Sequence, residues 1–269
     1  MVAEIVGGWL SNSLALLADA GHMLSDTAAL ALSLFAMWAA RRPAKRASTY
    51  GYHRAEILAA LANGSVLLVI ALFIFIEAVQ RLREPPTVAG PLMLAIACGG
   101  LVMNLAGLQL LAPGREANLN LRGAWLHVLS DALGSVGAIV AGVMIWARGW
   151  TWADPLASVV IVMFIVHSAW ALLRETVAVL MENAPGHIDV DEVCTAIGKI
   201  ASVMEVHDLH VWTITSGMES LSAHVLAAPD SDTDALLISI RSLLADRFGI
   251  DHVTIQIEKD VNGECRECH

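Results

Sequence analysis

Five stretches of this chain, approximately 14–40, 55–80, 88–112, 121–147 and 153–180, are apolar over a length that spans a bilayer. A membrane-crossing helix needs roughly 20 mainly apolar residues, because every backbone polar group must be satisfied within the segment when no water is present. Composition agrees. Of 269 residues, 57% are hydrophobic and 16% charged, with a mean hydropathy of +0.63, against about 45–50% and about 25% in soluble domains. The chain is therefore read as an integral membrane protein; a disordered tail, a disulfide scaffold and an ordinary soluble enzyme are excluded. Met1–Leu10 is apolar but too short to cross, and it lacks the basic flank and cleavage pattern of a signal peptide. It reads as the end of a first span. The expectation is six spans, the first one truncated.

Charge divides the chain. Residues 1–181 carry 11 Lys/Arg and 10 Asp/Glu, whereas residues 182–269 carry 5 and 16. The acidic tail belongs in water, and its sign argues against nucleic acid as a partner. Basic residues favour the cytoplasmic side. Arg41, Arg42, Lys45, Arg46 and Arg54 lie in one loop and Arg115 and Arg122 in another, against Arg81, Arg83 and Arg148 on the opposite side. This places the loop over 41–54 and, by alternation, the tail in the cytoplasm. Trp146, Trp150 and Trp152 gather at a membrane edge as an aromatic belt.

The tail has the pattern of a small α+β domain. A helix is predicted over Asp189–Ala201, strands over Glu205–Thr215 and 219–228, a second helix over 234–248 ended by Gly249, and a last strand in which Val253, Ile255 and Ile257 alternate with polar residues. The order is αββαβ. The domain boundaries are set at 1–182 for the membrane part, 183–260 for the cytoplasmic domain and 261–269 for a cysteine-containing tail. Cys98 and Cys194 are read as packing residues, and no disulfide framework suggests itself.

Ionisable groups within spans are costly and mark function by default. His22 and Asp26 sit four apart in Gly-His-Met-Leu-Ser-Asp; His127 and Asp131 sit four apart in Leu-His-Val-Leu-Ser-Asp. Residues i and i+4 share one helix face. Two such stripes packed together bring two nitrogens and two carboxylates to one point, a complete shell for a divalent ion. Zinc accepts these ligands tetrahedrally, calcium and magnesium want more oxygens, and Cu(I) wants sulfur. Gly134 and Gly137 admit close helix approach. The alternative for each pair alone is an intrahelical hydrogen bond that settles a buried polar group. Metal binding requires neutral imidazole and ionised carboxylate, so it expels protons, and metal/proton exchange follows if the site opens alternately to the two sides.

Ser11–Asp26, Tyr50-Gly-Tyr-His-Arg-Ala-Glu56, His127–Asp131, Ala153-Asp-Pro155 and His207-Asp-Leu-His-Val-Trp212 resemble the cation diffusion facilitator family in its zinc-transporter branch. The resemblance implies homodimeric metal/proton antiporters with six spans, a transport site carried over to His22, Asp26, His127 and Asp131, and a cytoplasmic ferredoxin-like domain. It also implies metal bound in that domain at His207, His224 and Glu258, a zinc half-site at Cys265 and Cys268, and an interfacial ion at His53. The alternatives are a solvated polar face, free thiols in a frayed tail and a surface histidine, respectively. Zinc is expected both as substrate and as regulatory ligand, with protons as the counter-substrate and the bilayer as surroundings.

His at position 22 resembles zinc-preferring members, where Asp would imply broader zinc and cadmium use. Asp19 is read as lining the cavity or capping its helix, Asp154 as a helix start, and His167 as a hydrogen-bonded packing residue. An enzyme is disfavoured, because four protein ligands leave no open position and no His-Glu-x-x-His motif is present. A zinc-binding, sensing scaffold that does not transport is the standing alternative, given the incomplete first span.

Overall fold

A computed structural model of the chain describes residues 1–114 and 119–259. Its helices are α1 (Val2–Ser11), α2 (Leu14–Ala40), α3 (Ala55–Arg83), α4 (Gly90–Leu111), α5 (Leu119–Arg148) and α6 (Ala153–Leu180). The remaining elements are α7 (Val190–Gly198), β1 (Val203–Thr215), β2 (Met218–Ala227), α8 (Thr233–Phe248) and β3 (His252–Glu258). Five helices, α2 to α6, are long and apolar enough to cross a membrane, and α1 is a shorter apolar helix. The five hydropathy windows and the αββαβ order of the tail both match their elements closely.

The described chain forms two compact units. The first comprises Met1–Leu32 and Ala62–Leu173, the second Ser33–Leu61 and the segment from Arg174 onward.

In the first unit the buried cluster is rich in alanine: Ala15 and Ala18 of α2, Ala71 of α3, Ala97 of α4, Ala138 of α5 and Ala169 of α6. Small residues let helix backbones approach where lipid supplies no hydrophobic contrast. The large residues Leu30, Phe73, Met103, Leu110 and Phe164 face outward instead. Helix α1 lies against α4 so closely that a Cβ at Gly7 would run into the Ile96 side chain.

The junction between α1 and α2 is fixed by a carboxylate from far along the chain. Asp154, in the first turn of α6, is fully buried. Its Oδ1 accepts from Ser13 Oγ at 2.6 Å and from Ala15 N at 3.1 Å, and its Oδ2 accepts from Leu14 N at 2.7 Å. These are orphan donors at the start of α2, so Asp154 caps a helix other than its own. Asn12 in the left-handed conformation ends α1, and Arg81 of α3 donates to its carbonyl at 2.8 Å.

In the second unit α7 and α8 pack on a three-stranded sheet of order β1-β2-β3, with β1 and β2 antiparallel and β2 and β3 parallel. Val193, Ile197, Leu236, Ile240 and Leu244 of the helices meet Leu209, Val211, Leu221, Ala223 and Val225 of the sheet. Asp189 and Asp232 cap the two helices through their second and third backbone N–H groups. Thr215 and Ser216, at the β1–β2 turn, donate to Glu56 at the start of α3, at 2.6 and 3.2 Å.

Two expectations are corrected. Cys98 is exposed on α4 rather than packed, whereas Cys194 does pack against the core of the second unit. His167 is exposed on α6 rather than packed. At the edge of the membrane part, Trp150 and Trp152 stack with ring centroids 5.4 Å apart.

Replacing Asp154 by Ala leaves two backbone N–H groups and one hydroxyl in a buried pocket without an acceptor. The expected cost is about 2–4 kcal/mol, read as a lower unfolding temperature of the detergent-solubilised chain, with Asp154→Asn recovering part of the loss.

Candidate metal centre

The site in the first unit is built from two helices. One turn of α2 separates His22 from Asp26, and one turn of α5 separates His127 from Asp131, so each helix offers an imidazole and a carboxylate on one face. The stripes converge. His127 Nε2 is 3.2 Å from Asp26 Oδ2 across the helix pair, and His22 Nε2 is 3.7 Å from Asp131 Oδ1. Within each helix the His–Asp separations are also 3.7 Å. The two imidazole rings meet edge to face at 5.8 Å. Candidate ligand atoms of His22, Asp26 and His127 all lie within 4.8 Å of one another, and Asp131 closes the group through its contacts to both imidazoles.

These lengths suit a metal. A tetrahedral shell with bonds of about 2.0 Å has edges of about 3.3 Å. Asp26 Oδ2 and Asp131 Oδ1 are buried without a hydrogen bond, an arrangement that costs free energy unless a ligand satisfies it. The intrahelical hydrogen bond, the competing account of each pair, is not made at 3.7 Å.

Packing around the quartet explains its convergence. A Cβ at Gly134 would touch Asp19 Oδ1 at 3.5 Å, whereas Gly137 faces open space, so of the two glycines only Gly134 bears on the approach. Ser25, next to Asp26, donates to Asn63 of α3 at 3.0 Å, which holds the ligand-bearing turn of α2 against a third helix.

A second cluster lies on the sheet of the second unit. His207 of β1 and His224 of β2 are cross-strand partners, with rings 5.4 Å apart. Glu258 of β3 reaches both, at 3.5 Å from His207 Nε2 and 3.0 Å from His224 Nδ1. Candidate ligand atoms of the three lie within 4.8 Å of one another, and His207 Nδ1 is buried without a partner.

Strand parity hides part of this cluster. On a regular strand His207 would share the face of Leu209, Val211 and Thr213, which are buried. A register irregularity between His207 and His210, with Asp208 at φ 51°, turns it outward. The same irregularity sets Asp208 Oδ2 3.8 Å from His224 Nε2 and Oδ1 3.1 Å from His210 Nε2. Asp208 and His210 thus belong to the cluster's surroundings; both lie in the segment His207–Trp212 that carries the resemblance, which gave them no role as ligands.

The other sequence candidates fare differently. Among the described residues no metal-capable group forms around His53. Cys265 and Cys268 lie outside the described residues. Asp208 makes its hydrogen bond with His210 and reaches His224 only as a more distant charge. Zinc titration of the full chain is expected to lose one class of binding with His207→Ala, with binding at the membrane quartet unchanged.

Residues 1–181 match the family model of the cation efflux transmembrane domain, and residues 185–260 match that of the cation efflux protein cytoplasmic domain. The cadmium, cobalt and zinc/H(+)-K(+) antiporter of Bacillus subtilis is 44% identical over 267 residues, 97% of this chain and 86% of that protein. The zinc transporter ZitB of Escherichia coli is 46% identical over 260 residues, 96% of this chain and 83% of that protein. The metal cation efflux system protein CzcD of Cupriavidus metallidurans is 42% identical over 96% of this chain and 82% of that protein. Among solved structures, the metal-bound C-terminal domain of a CzcD transporter is 40% identical, covering 26% of this chain and 99% of that chain at a TM-score of 0.26.

Proposed function

The chain belongs to the cation efflux family, the cation diffusion facilitators, and we propose that it exports Zn2+ from the cytoplasm in exchange for protons through His22, Asp26, His127 and Asp131. It is a multi-pass membrane protein with a cytoplasmic C-terminal domain. The observation that carries the reading is the convergence of two His–Asp pairs from α2 and α5 at separations of 3.2–3.7 Å.

Two carboxylates at membrane depth need compensating charge, and either one Zn2+ or protons can supply it. Zinc entering the quartet needs ionised carboxylates and neutral imidazoles, so it displaces protons; protons arriving from the other side weaken the hold on zinc. Two nitrogens and two oxygens favour zinc over magnesium or calcium. The B. subtilis relative is a cadmium, cobalt and zinc/H(+)-K(+) antiporter and the E. coli relative a zinc transporter, which supports zinc and protons as substrates here.

The remaining assignments belong to this reading. Residues 1–182 carry transport, and residues 183–260 join two copies as a homodimer and bind regulatory zinc at His207, His224 and Glu258. Residues 261–269 form a tail in which Cys265 and Cys268 supply half of a further zinc site.

Reconstitution in vesicles holding a zinc-sensitive dye tests the proposal. An imposed pH gradient is expected to drive zinc flux that Asp26→Ala or Asp131→Ala lowers by at least about a hundredfold, the loss of a ligand that binds the ion at every turnover. Flux that persists in these variants removes the quartet from the transport path. His22→Asp is expected to raise cadmium flux several-fold relative to zinc, measured with both ions in the same preparation; an unchanged ratio takes selectivity away from position 22.

A further inference from the structure

The first unit holds two more intramembrane carboxyl groups, which the quartet does not use. Glu4 lies on α1 and Asp19 on α2, and each is only 7% exposed. Glu4 Oε1 stands over Gly100 of α4, where a Cβ would come within 3.0 Å of it and within 3.6 Å of Ser135 Oγ. Asp19 Oδ1 stands over Gly134 of α5. Asn104 of α4 donates to Ser135 Oγ at 3.4 Å. Two glycines, a hydroxyl and an amide thus leave room among α1, α2, α4 and α5 for a pair of acids.

Their electrostatic surroundings are sparse. Glu4, Asp131 and the Met1 α-amino group are the charges that act on Asp19, and the α-amino group is 2.9 Å from Glu4 Oε2. Helix α4 carries no ionisable residue besides Cys98. Among the described residues no Lys or Arg pairs with either acid, and neither makes a hydrogen bond or ion pair with a member of the quartet. Glu4 thus has the α-amino group as its one cationic neighbour and Asp19 is paired with no base among the described residues; buried intramembrane acids are costly to keep charged and are found where protons or ions pass.

We infer that Glu4 and Asp19 carry exchanged protons, as a station separate from the residues that hold zinc. The inference rests on the zinc/proton reading above. Each carboxylate takes one proton from one side of the membrane, forming an O–H bond, and returns it to water on the other; no other bond changes. When both are protonated, two negative charges disappear from the neighbourhood of Asp131, and the quartet holds Zn2+ less tightly. Linkage requires the converse, so that zinc in the quartet favours loss of those protons.

The test uses the full chain, with Glu4→Gln, Asp19→Asn and the charge-retaining Asp19→Glu. Calorimetric zinc titrations in buffers of different ionisation enthalpy give the protons released per zinc bound, and vesicles report zinc flux under a pH gradient. Both neutralised variants are expected still to bind zinc at the quartet while releasing fewer protons, by up to about one for each carboxyl removed. Their pH-driven flux is expected to fall about tenfold or more, with Asp19→Glu restoring coupling. Unchanged proton release and unchanged gradient-driven flux in Glu4→Gln and Asp19→Asn would overturn the inference. So would zinc binding lost in all three variants, which makes the acids structural, or flux that follows an imposed K+ gradient at clamped pH, which makes them a monovalent-cation site. If the wild-type chain itself releases no protons and ignores the pH gradient, the exchange reading fails, and this one with it.

Discussion

The Asp154 carboxylate is the interaction on which the membrane part depends. Helix α2 carries Asp19, His22 and Asp26, and its first turn is held by a side chain 140 residues away. Three hydrogen bonds to one buried acid fix where α2 begins and how far it sits along α6. A ligand stripe on a helix free to slide by one residue would rise about 1.5 Å and rotate by about 100°. That is enough to take His22 and Asp26 away from α5. The cap therefore sets the register of the candidate metal centre from about two turns away along the same helix.

Alanines in the interior and the Ser25–Asn63 hydrogen bond complete that placement. Close helix approach lets short Asp side chains reach partners on a neighbouring helix, and the polar groups left unpaired are concentrated where an ion would satisfy them. Ser158, elsewhere in the bundle, finds a protein partner in the Asp154 carbonyl at 2.8 Å, whereas Glu4 Oε2 makes no hydrogen bond. A buried group without a partner is informative because its neighbours show that the fold can supply one.

Much of this was legible in the residues. The spans follow from apolar length, the αββαβ order from periodicities of 3.6 and 2, and the quartet from two i, i+4 pairs whose shared face is a property of any helix. What escaped was long-range. Asp154 was legible as the start of a helix, but the helix it caps lies elsewhere in the sequence. Glu4, in a segment too short to read as a span, gave no sign of being buried against Gly100 of α4. The bond between Glu56 and the β1–β2 turn likewise depends on a tertiary contact that spacing cannot express. Gly137 had the composition of a contact glycine without the contact.

The irregularity in β1 shows how much can hang on the count of residues in a strand. His207 faces Glu258 because one extra residue shifts its parity against Leu209 and Val211. Deleting that residue would restore an even ladder and rotate the imidazole into the apolar layer beneath α7 and α8, stranding the other two members of the trio. No exchange of side chains at 207 could undo this, because the fault would lie in the frame of the backbone. For this cluster, then, an insertion or deletion is a more damaging class of change than a substitution.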